Sequence, residues 1–483
     1  MQTAGSVNIL TDGEIDRIAE DAMRVLGEIG GLVENAVLIE LLRDFGATVS
    51  SDRRVRFSRG ILDGFLQGAA AEYDEVDGLE VSCTLPYGRR AAYANGVECT
   101  AGTYPQMYMA LDGSIRPHTL QTVSDMTRLA DHCPNFDRLG AMGVPSDVPG
   151  ILSPLYMRLI AWRHAQNKLS SCGEVQDRKL IPYILEMGKV MADGKKTSLR
   201  HHTFAEVELI SPLKFMEAEA AIFVDMWQRG LLCGIGFMHS TGGSSPVTLA
   251  ATLTLDLAES LFVCILYRLC YGLKKLWFQM NASVLDMKHA MFCFGRPERG
   301  LMALGMGQIA RRFNAGLWAS GVFADAKVTS CEAGMQAAFT MIPAIMAGSL
   351  GLECFGLLSG AEMGSPVQLI IDNEFAGALK RFARGFEVST ETLAYDVIKE
   401  EAVGGLFAGN EHTVRHFRNE QWAPSILSRE NLSSWRAAGA RSDIEQARDV
   451  AGRVFKDYWP QGISEDVERE LLGIIESARQ KLL

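Results

Sequence analysis

The stretch that most constrains this chain is residues 314–359. A short apolar run, Leu317-Trp318-Ala319, leads into a glycine-containing turn, Ser320-Gly321-Val322-Phe323, and then two charges, Asp325 and Lys327. A helix-like segment, 332–348, ends in small residues. A second apolar run, Leu350-Gly351-Leu352, then delivers Glu353, Cys354 and Phe355. Strand, loop, helix, strand is one βα unit of a parallel sheet, with polar and aromatic residues collected where the strands end. In α/β sheets and barrels that end carries the ligand chemistry.

The same unit recurs along the chain. Apolar strands are predicted at 139–144, 168–172, 204–209, 232–237, 276–280, 316–319 and 350–355, with the weakest at 405–408. Amphipathic helices are predicted at 154–165, 179–191, 246–271 and 298–313. Eight strands with intervening helices specify an α/β fold of the (β/α)8 (TIM) barrel type. No glycine fingerprint follows the first strand and no P-loop motif occurs, so nucleotide folds lose support. Residues 1–120 read as an N-terminal cap of helices and β-hairpins. It has a capping sequence at Thr11-Asp12-Gly13-Glu14, a hairpin over 46–57, and turns at Tyr87-Gly88, Asn95-Gly96 and Asp112-Gly113. The barrel takes 121–420, and a charged helical extension, 421–483, packs outside it.

Composition narrows the partners. A net charge of −11 opposes nonspecific nucleic-acid binding. The apolar run over 337–352 is too short and too interrupted to span a bilayer, and the N-terminus shows no secretory pattern, so a cytoplasmic protein without membrane partners is expected. The ten cysteines show no C-x-x-C pair and read as reduced.

Residues just past the predicted strands form the candidate site: Glu174, Ser211, His239, Asn281, Phe323, Asp325, Lys327, Glu353, Phe355, Glu411 and His412. Tyr104 reaches over the rim from the cap. Trp318 and the other aromatics suit a quaternary ammonium, which rings attract by about 0.5–2 kcal/mol each. Each ring could equally belong to the packed core. Glu411-His412-x-x-x-His416 places two histidines on one helix face, but the zincin order is absent, and no metal is expected. Residue chemistry alone gives a binding pocket without a named reaction.

Six strings carry a resemblance. Val144-Pro145-Ser146-Asp147-Val148-Pro149, Ile210-Ser211-Pro212-Leu213 and Ser245-Pro246-Val247-Thr248-Leu249-Ala250 resemble landmarks of the trimethylamine methyltransferase family. So do Ala324-Asp325-Ala326-Lys327, Ile371-Asp372-Asn373-Glu374 and the run from Gly409 through Asn410, Glu411, His412 and His416 to Phe417. The resemblance implies a (β/α)8 barrel that moves a methyl group from a methylated amine to the cobalt of a corrinoid. That corrinoid (cobalamin) is carried by a cognate partner protein, with none bound tightly by this chain. Some members carry pyrrolysine at the barrel mouth. This chain has only standard residues, so it resembles the branch without pyrrolysine, with the equivalent position expected within 320–327. That branch implies a quaternary, betaine-like amine held by Tyr104, Trp318, Phe323 and Phe355. His239, Asn281 or Lys327 would take a carboxylate, and Glu353 would meet either Lys327 or the substrate. The long apolar helix near 246–271 suggests a homo-oligomer. Two other readings stand beside this one: a zinc-dependent methyltransferase using cysteines such as Cys172, Cys331 or Cys354, and a quaternary-ammonium binding protein without catalysis.

Overall fold

The computed structural model of the chain describes residues 7–70, 97–170, 173–195, 197–319 and 321–483. The turns expected at Tyr87-Gly88 and Asn95-Gly96, with Cys172 and Ser320, lie outside them. Eight parallel strands organise an α/β fold: β1 Glu98–Thr103, β2 Arg138–Met142, β3 Leu169–Ser170, β4 Ala205–Leu209, β5 Cys233–Phe237, β6 Trp277–Gln279, β7 Gly316–Trp318 and β8 Gly351–Leu352. Strands β1, β2 and β3 pair in that order, and β4 pairs with β5, all parallel. A parallel bridge between Glu174 and Glu206 joins the end of β3 to β4. Residues 240–241, just past β5, pair with 283–284, just past β6. Strand β6 pairs with β7, and Leu350 N donates to Leu317 O (3.0 Å) between β7 and β8. Finally β8 pairs with β1, Gly351 opposite Glu98 and Leu352 opposite Cys99.

A helix follows each strand: Leu120–His132, Ser153–His164, Ile181–Lys195, Glu217–Gln228, Leu249–Tyr271, Pro297–Arg312, Cys331–Ala347 and Pro366–Arg384. Strands covered on both faces lose the alternation of a half-exposed sheet. Accordingly every residue of β2 and of β5 is buried.

Two expectations change here. The weakest predicted strand, 405–408, is not a strand. It falls on the 3-10 turn Phe407–Gly409, in a surface segment where Leu406 and Phe407 are exposed. Its place is taken by β1, inside the segment read as a cap. An apolar pattern was missing there because Glu98, Thr100 and Gly102 alternate along β1 and face the interior.

The N-terminal segment forms its own layer. Helix Asp12–Arg24 starts at a full capping box, with Thr11 N donating to the Glu14 carboxylate (2.8 Å) and Glu14 N to the Thr11 hydroxyl (3.3 Å). The hairpin of Thr48–Val49 and Arg54–Arg56 joins Gly31–Val33 and Lys214–Phe215 in a four-stranded sheet. Phe57 packs on Phe262 of the long helix (6.3 Å). That helix, Leu249–Tyr271, is the one described helix long and apolar enough to cross a bilayer, and 72% of its most apolar window is buried by the rest of the chain. At the C-terminus, Asp443–Asp457 packs against Pro366–Arg384, and Glu465–Leu482 against Ile181–Lys195. Over the C-terminal ends of the strands, Met107–Met109, Ile115–Pro117, Leu357–Leu358 and Met363–Gly364 form a second small sheet.

Candidate functional site

The strands enclose a cavity of about 1320 Å³. Inward positions of parallel barrels are ordinarily filled by branched apolar side chains. Here glycines take several of them. A Cβ on Gly102 would sit 2.9 Å from the Cα of Gly140 on the neighbouring strand, and one on Gly236 would sit 2.7 Å from Glu208 Oε1. At Gly173 a Cβ would collide with the Tyr104 hydroxyl, and at Gly351 with the Trp318 ring. The room at Gly173, Gly236 and Gly351 is taken by the side chains of Tyr104, Glu208 and Trp318, and that at Gly102 by the neighbouring strand's backbone.

Of the residues singled out by sequence, Tyr104, His239, Asn281, Trp318, Phe323 and Glu353 line this cavity, as do Glu174 and Ser211. Phe323 stacks on Phe294 (4.6 Å) and has the Arg299 guanidinium over its ring (4.7 Å), so its π system is already engaged. Arg299 is buried and donates to Asn281 Oδ1 (3.2 Å). Burial brings its pKa down to about 10.

Other candidates lie elsewhere. Phe355 is fully buried against Phe136, with ring centroids 4.7 Å apart, and does not line the cavity. The left-handed backbone at Cys354 (φ 68°) breaks strand alternation and turns Phe355 into the core. Asp325 accepts from the backbone N–H groups of Phe294 and Gly295, both at 2.9 Å, and thereby anchors the rim. Lys327 is exposed and donates to Ser359 Oγ (2.9 Å). Glu411 and His412 sit on the surface helix Glu411–Glu420, where His412 Nε2 bonds to Glu391 O (3.2 Å) and His416 to the Glu391 carboxylate (3.1 Å). Glu391, His412 and His416 are the one group of potential metal ligands drawn together among the described residues. Neither Cys331 nor Cys354 belongs to it, and the eight described cysteines are free.

The cavity also holds what sequence reading passed over. Strand β4 runs Ala-Glu-Val-Glu-Leu, and Glu206 and Glu208, two apart, share its inward face. With Glu174 and Glu353 they make an acidic wall. Burial, reinforced by Glu174, Glu206 and Glu353, pushes Glu208 up to about 8. Its exposed surface opens to the cavity while protein surrounds the carboxylate, so desolvation and exposure coexist. Glu174 is raised for the same reasons, burial first and then Glu206. The signal was available, since paired charges at i and i+2 in an otherwise buried strand must face a polar interior. Glu98 is balanced by Arg138, 2.8 Å away. Gln279 is fixed by its bond to Ile235 O (2.8 Å).

His239 is fully buried between two acids, 3.3 Å from Glu259 and 3.6 Å from Asp256. Burial drives its pKa down to about 3, raises Asp256 well above its usual range and brings Glu259 to about 7. Burial thus favours the neutral imidazole at His239.

The family model described as trimethylamine methyltransferase (MTTB) matches residues 1–482. The chain belongs to the trimethylamine methyltransferase family. Like the family, it is a methyltransferase. Among its relatives, a trimethylamine methyltransferase of Desulfitobacterium hafniense (strain DSM 10664 / DCB-2) is 22% identical over 475 residues, covering 98% of this chain and 94% of that one. A glycine betaine methyltransferase of D. hafniense (strain Y51) is 24% identical over 474 residues, covering 97% and 96%. Among solved structures, the Methanosarcina barkeri monomethylamine methyltransferase is similar at 11% identity and a TM-score of 0.48, covering 92% of this chain and 94% of that one.

In this trimethylamine methyltransferase family member the landmark strings do different work. Val144, Ser146, Ile210 and Ser211 line the cavity. Asp372, from the string at 371–374, holds the turn after β8 by accepting from Gly356 N (2.6 Å).

Proposed function

We propose that this methyltransferase removes a methyl group from a quaternary amine and delivers it to the Co(I) of a corrinoid carried by a separate cognate protein. We further propose that the eight strands close a (β/α)8 barrel beginning at β1, with 421–483 packed outside it. The observation that carries the reading is one cavity combining Trp318 and Tyr104 with the acidic wall of Glu174, Glu208 and Glu353. Rings and carboxylates together select a cation.

The corrinoid supplies the nucleophile; the residues of this chain act on the donor. As the methyl leaves, the C–N bond breaks and its electron pair stays on nitrogen. A neutral tertiary amine results, and no proton donor is needed. The enzyme's share is then orientation and electrostatics. Too much fixed negative charge would hold the cationic ground state back. Glu208, raised to about 8, is largely protonated near neutral pH in the unliganded cavity, so its charge is not fixed there. The buried Trp318 ring, the exposed Tyr104 ring and the carboxylate of Glu208 on β4 give the ammonium its seat.

A cytoplasmic homo-oligomer accords with this reading. Large apolar residues between 386 and 417, among them Phe386, Leu393, Tyr395 and Val403, are exposed on the single chain. The test is methylcobalamin formation from free cob(I)alamin with betaines, carnitine, choline and trimethylamine. Methyl transfer from a quaternary amine and none from trimethylamine is the expected result. Bound zinc, or amine binding without transfer in the presence of a corrinoid protein, overturns it in favour of the zinc-dependent or the silent-binder reading.

A further inference from the structure

We propose that the methyl donor is a net cation: a quaternary ammonium whose fourth substituent is uncharged, such as a hydroxyalkyl group, and not a betaine bearing a carboxylate. This rests on the reading above and adds the charge class of the substrate.

The first ground is where the cavity keeps its charges. Five carboxylates line it: Glu98, which is paired with Arg138, and Glu174, Glu206, Glu208 and Glu353. Two arginines line it as well, and each is engaged by a partner from the strands or their ends. Arg138 opens β2 and is paired with Glu98, which opens β1. Arg158 donates to the carbonyls of Gly173 (3.1 Å) and of Phe204, just before β4 (2.9 Å). Arg299 is held against Phe323 and Asn281.

Second, the three groups that sequence offers for a substrate carboxylate are unsuited to it. His239 is neutral and wedged between Asp256 and Glu259. Asn281 presents its oxygen to Arg299. Lys327 is exposed, outside the cavity lining, and bonded to Ser359. A carboxylate entering this cavity would lose hydration beside like charges, which disfavours it against a net cation.

Third, the buried polar atoms left without a partner in the same wall include neutral ones. Thr103 Oγ1, Ser240 Oγ and Trp318 Nε1 make no hydrogen bond among the described residues, and Trp318 is only 3% exposed. Buried polar groups in native proteins are satisfied, so these await a ligand group or a water. A hydroxyl, which both donates and accepts, matches them.

Calorimetric titration of the purified chain, without any corrinoid, tests this with choline, tetramethylammonium, glycine betaine and carnitine at about pH 8.5. Choline and tetramethylammonium are expected to bind at least about tenfold more tightly than either zwitterion. Glu353→Gln is expected to narrow that gap to within about threefold, with circular dichroism confirming the fold; Glu174→Gln gives the same readout should Glu353→Gln fail to fold. Glycine betaine or carnitine binding as tightly as choline overturns the inference, as does a gap untouched by both substitutions. The underlying reading fails separately: cation binding with no methyl transfer to cob(I)alamin supports the charge class and ends the methyl-transfer proposal. Demethylation of a betaine alone does the reverse.

Discussion

Replacing Glu208 with glutamine removes one ionisable carboxylate from the cavity wall while keeping its volume. In the unliganded protein this group titrates at about 8, against an ordinary glutamate value of 4.5. It is therefore about 1% ionised at pH 6 and about 90% ionised at pH 9. A quaternary ammonium about 5 Å away, at an effective dielectric of about 20, interacts with the ionised form by about 3 kcal/mol. That equals about two pKa units, so with the cation bound Glu208 titrates near about pH 6. Linkage then fixes the sign. Between about pH 6 and 8 binding expels a proton, and affinity rises with pH by about 100-fold in total before levelling off. The probe itself has no titrating group, so the whole effect belongs to the protein. Calorimetry with tetramethylammonium in two buffers of different ionisation enthalpy counts the released proton. Glu208→Gln should flatten the profile, matching wild type below about pH 6 and binding about 100-fold more weakly at about pH 9. A wild-type affinity constant across this range, or a variant that keeps the slope, refutes Glu208 as the counter-charge.

Phe355→Ala should lower stability by about 3–5 kcal/mol in chemical denaturation, because it empties a fully buried site against Phe136. Amine affinity should stay within about twofold; a larger loss would return Phe355 to the cage. Gly236→Ala brings a methyl to 2.7 Å from Glu208 Oε1 and 3.1 Å from its Cδ, forcing the carboxylate off its rotamer at a cost of about 1 kcal/mol. Cation affinity at about pH 9 should fall about fivefold, and an unchanged pH profile would mean the carboxylate is not held there. Between about pH 6.5 and 8 the unliganded protein should lose thermal stability as pH rises. Glu208, raised to about 8, and Asp372, raised to about 7, keep protons in the folded state that the unfolded chain has already released. A melting temperature that climbs across that window in calorimetric scans contradicts this.

Strands with apolar runs were legible within a few residues, as at 233–237 and 316–318. Their burial on both faces demands continuous hydrophobicity, and that survives in sequence. Strand β1 was not legible, because its inward face carries Glu98, Thr100 and Gly102, the groups that make the cavity. Cavity-lining residues directly past a strand, such as His239 and Asn281, were readable from that rule alone. Phe355 failed it because a single left-handed residue, Cys354, reverses the side on which the following ring emerges. Nothing in the residue type announces that conformation. Glu206 and Glu208 were readable from their spacing but not from hydrophobicity, which treats a charged strand as a poor strand.

The pairing of β8 with β1 joins residues about 250 positions apart. At a synthesis rate of roughly 5–20 residues per second, the outer edge of β1 waits about 13–50 s after it emerges before its partner exists. Such high contact order slows folding, and an unpaired edge invites the wrong neighbour. A nascent chain truncated before Gly351 would carry that open edge permanently. Such a fragment is where this protein should be most dependent on chaperones and quickest to aggregate.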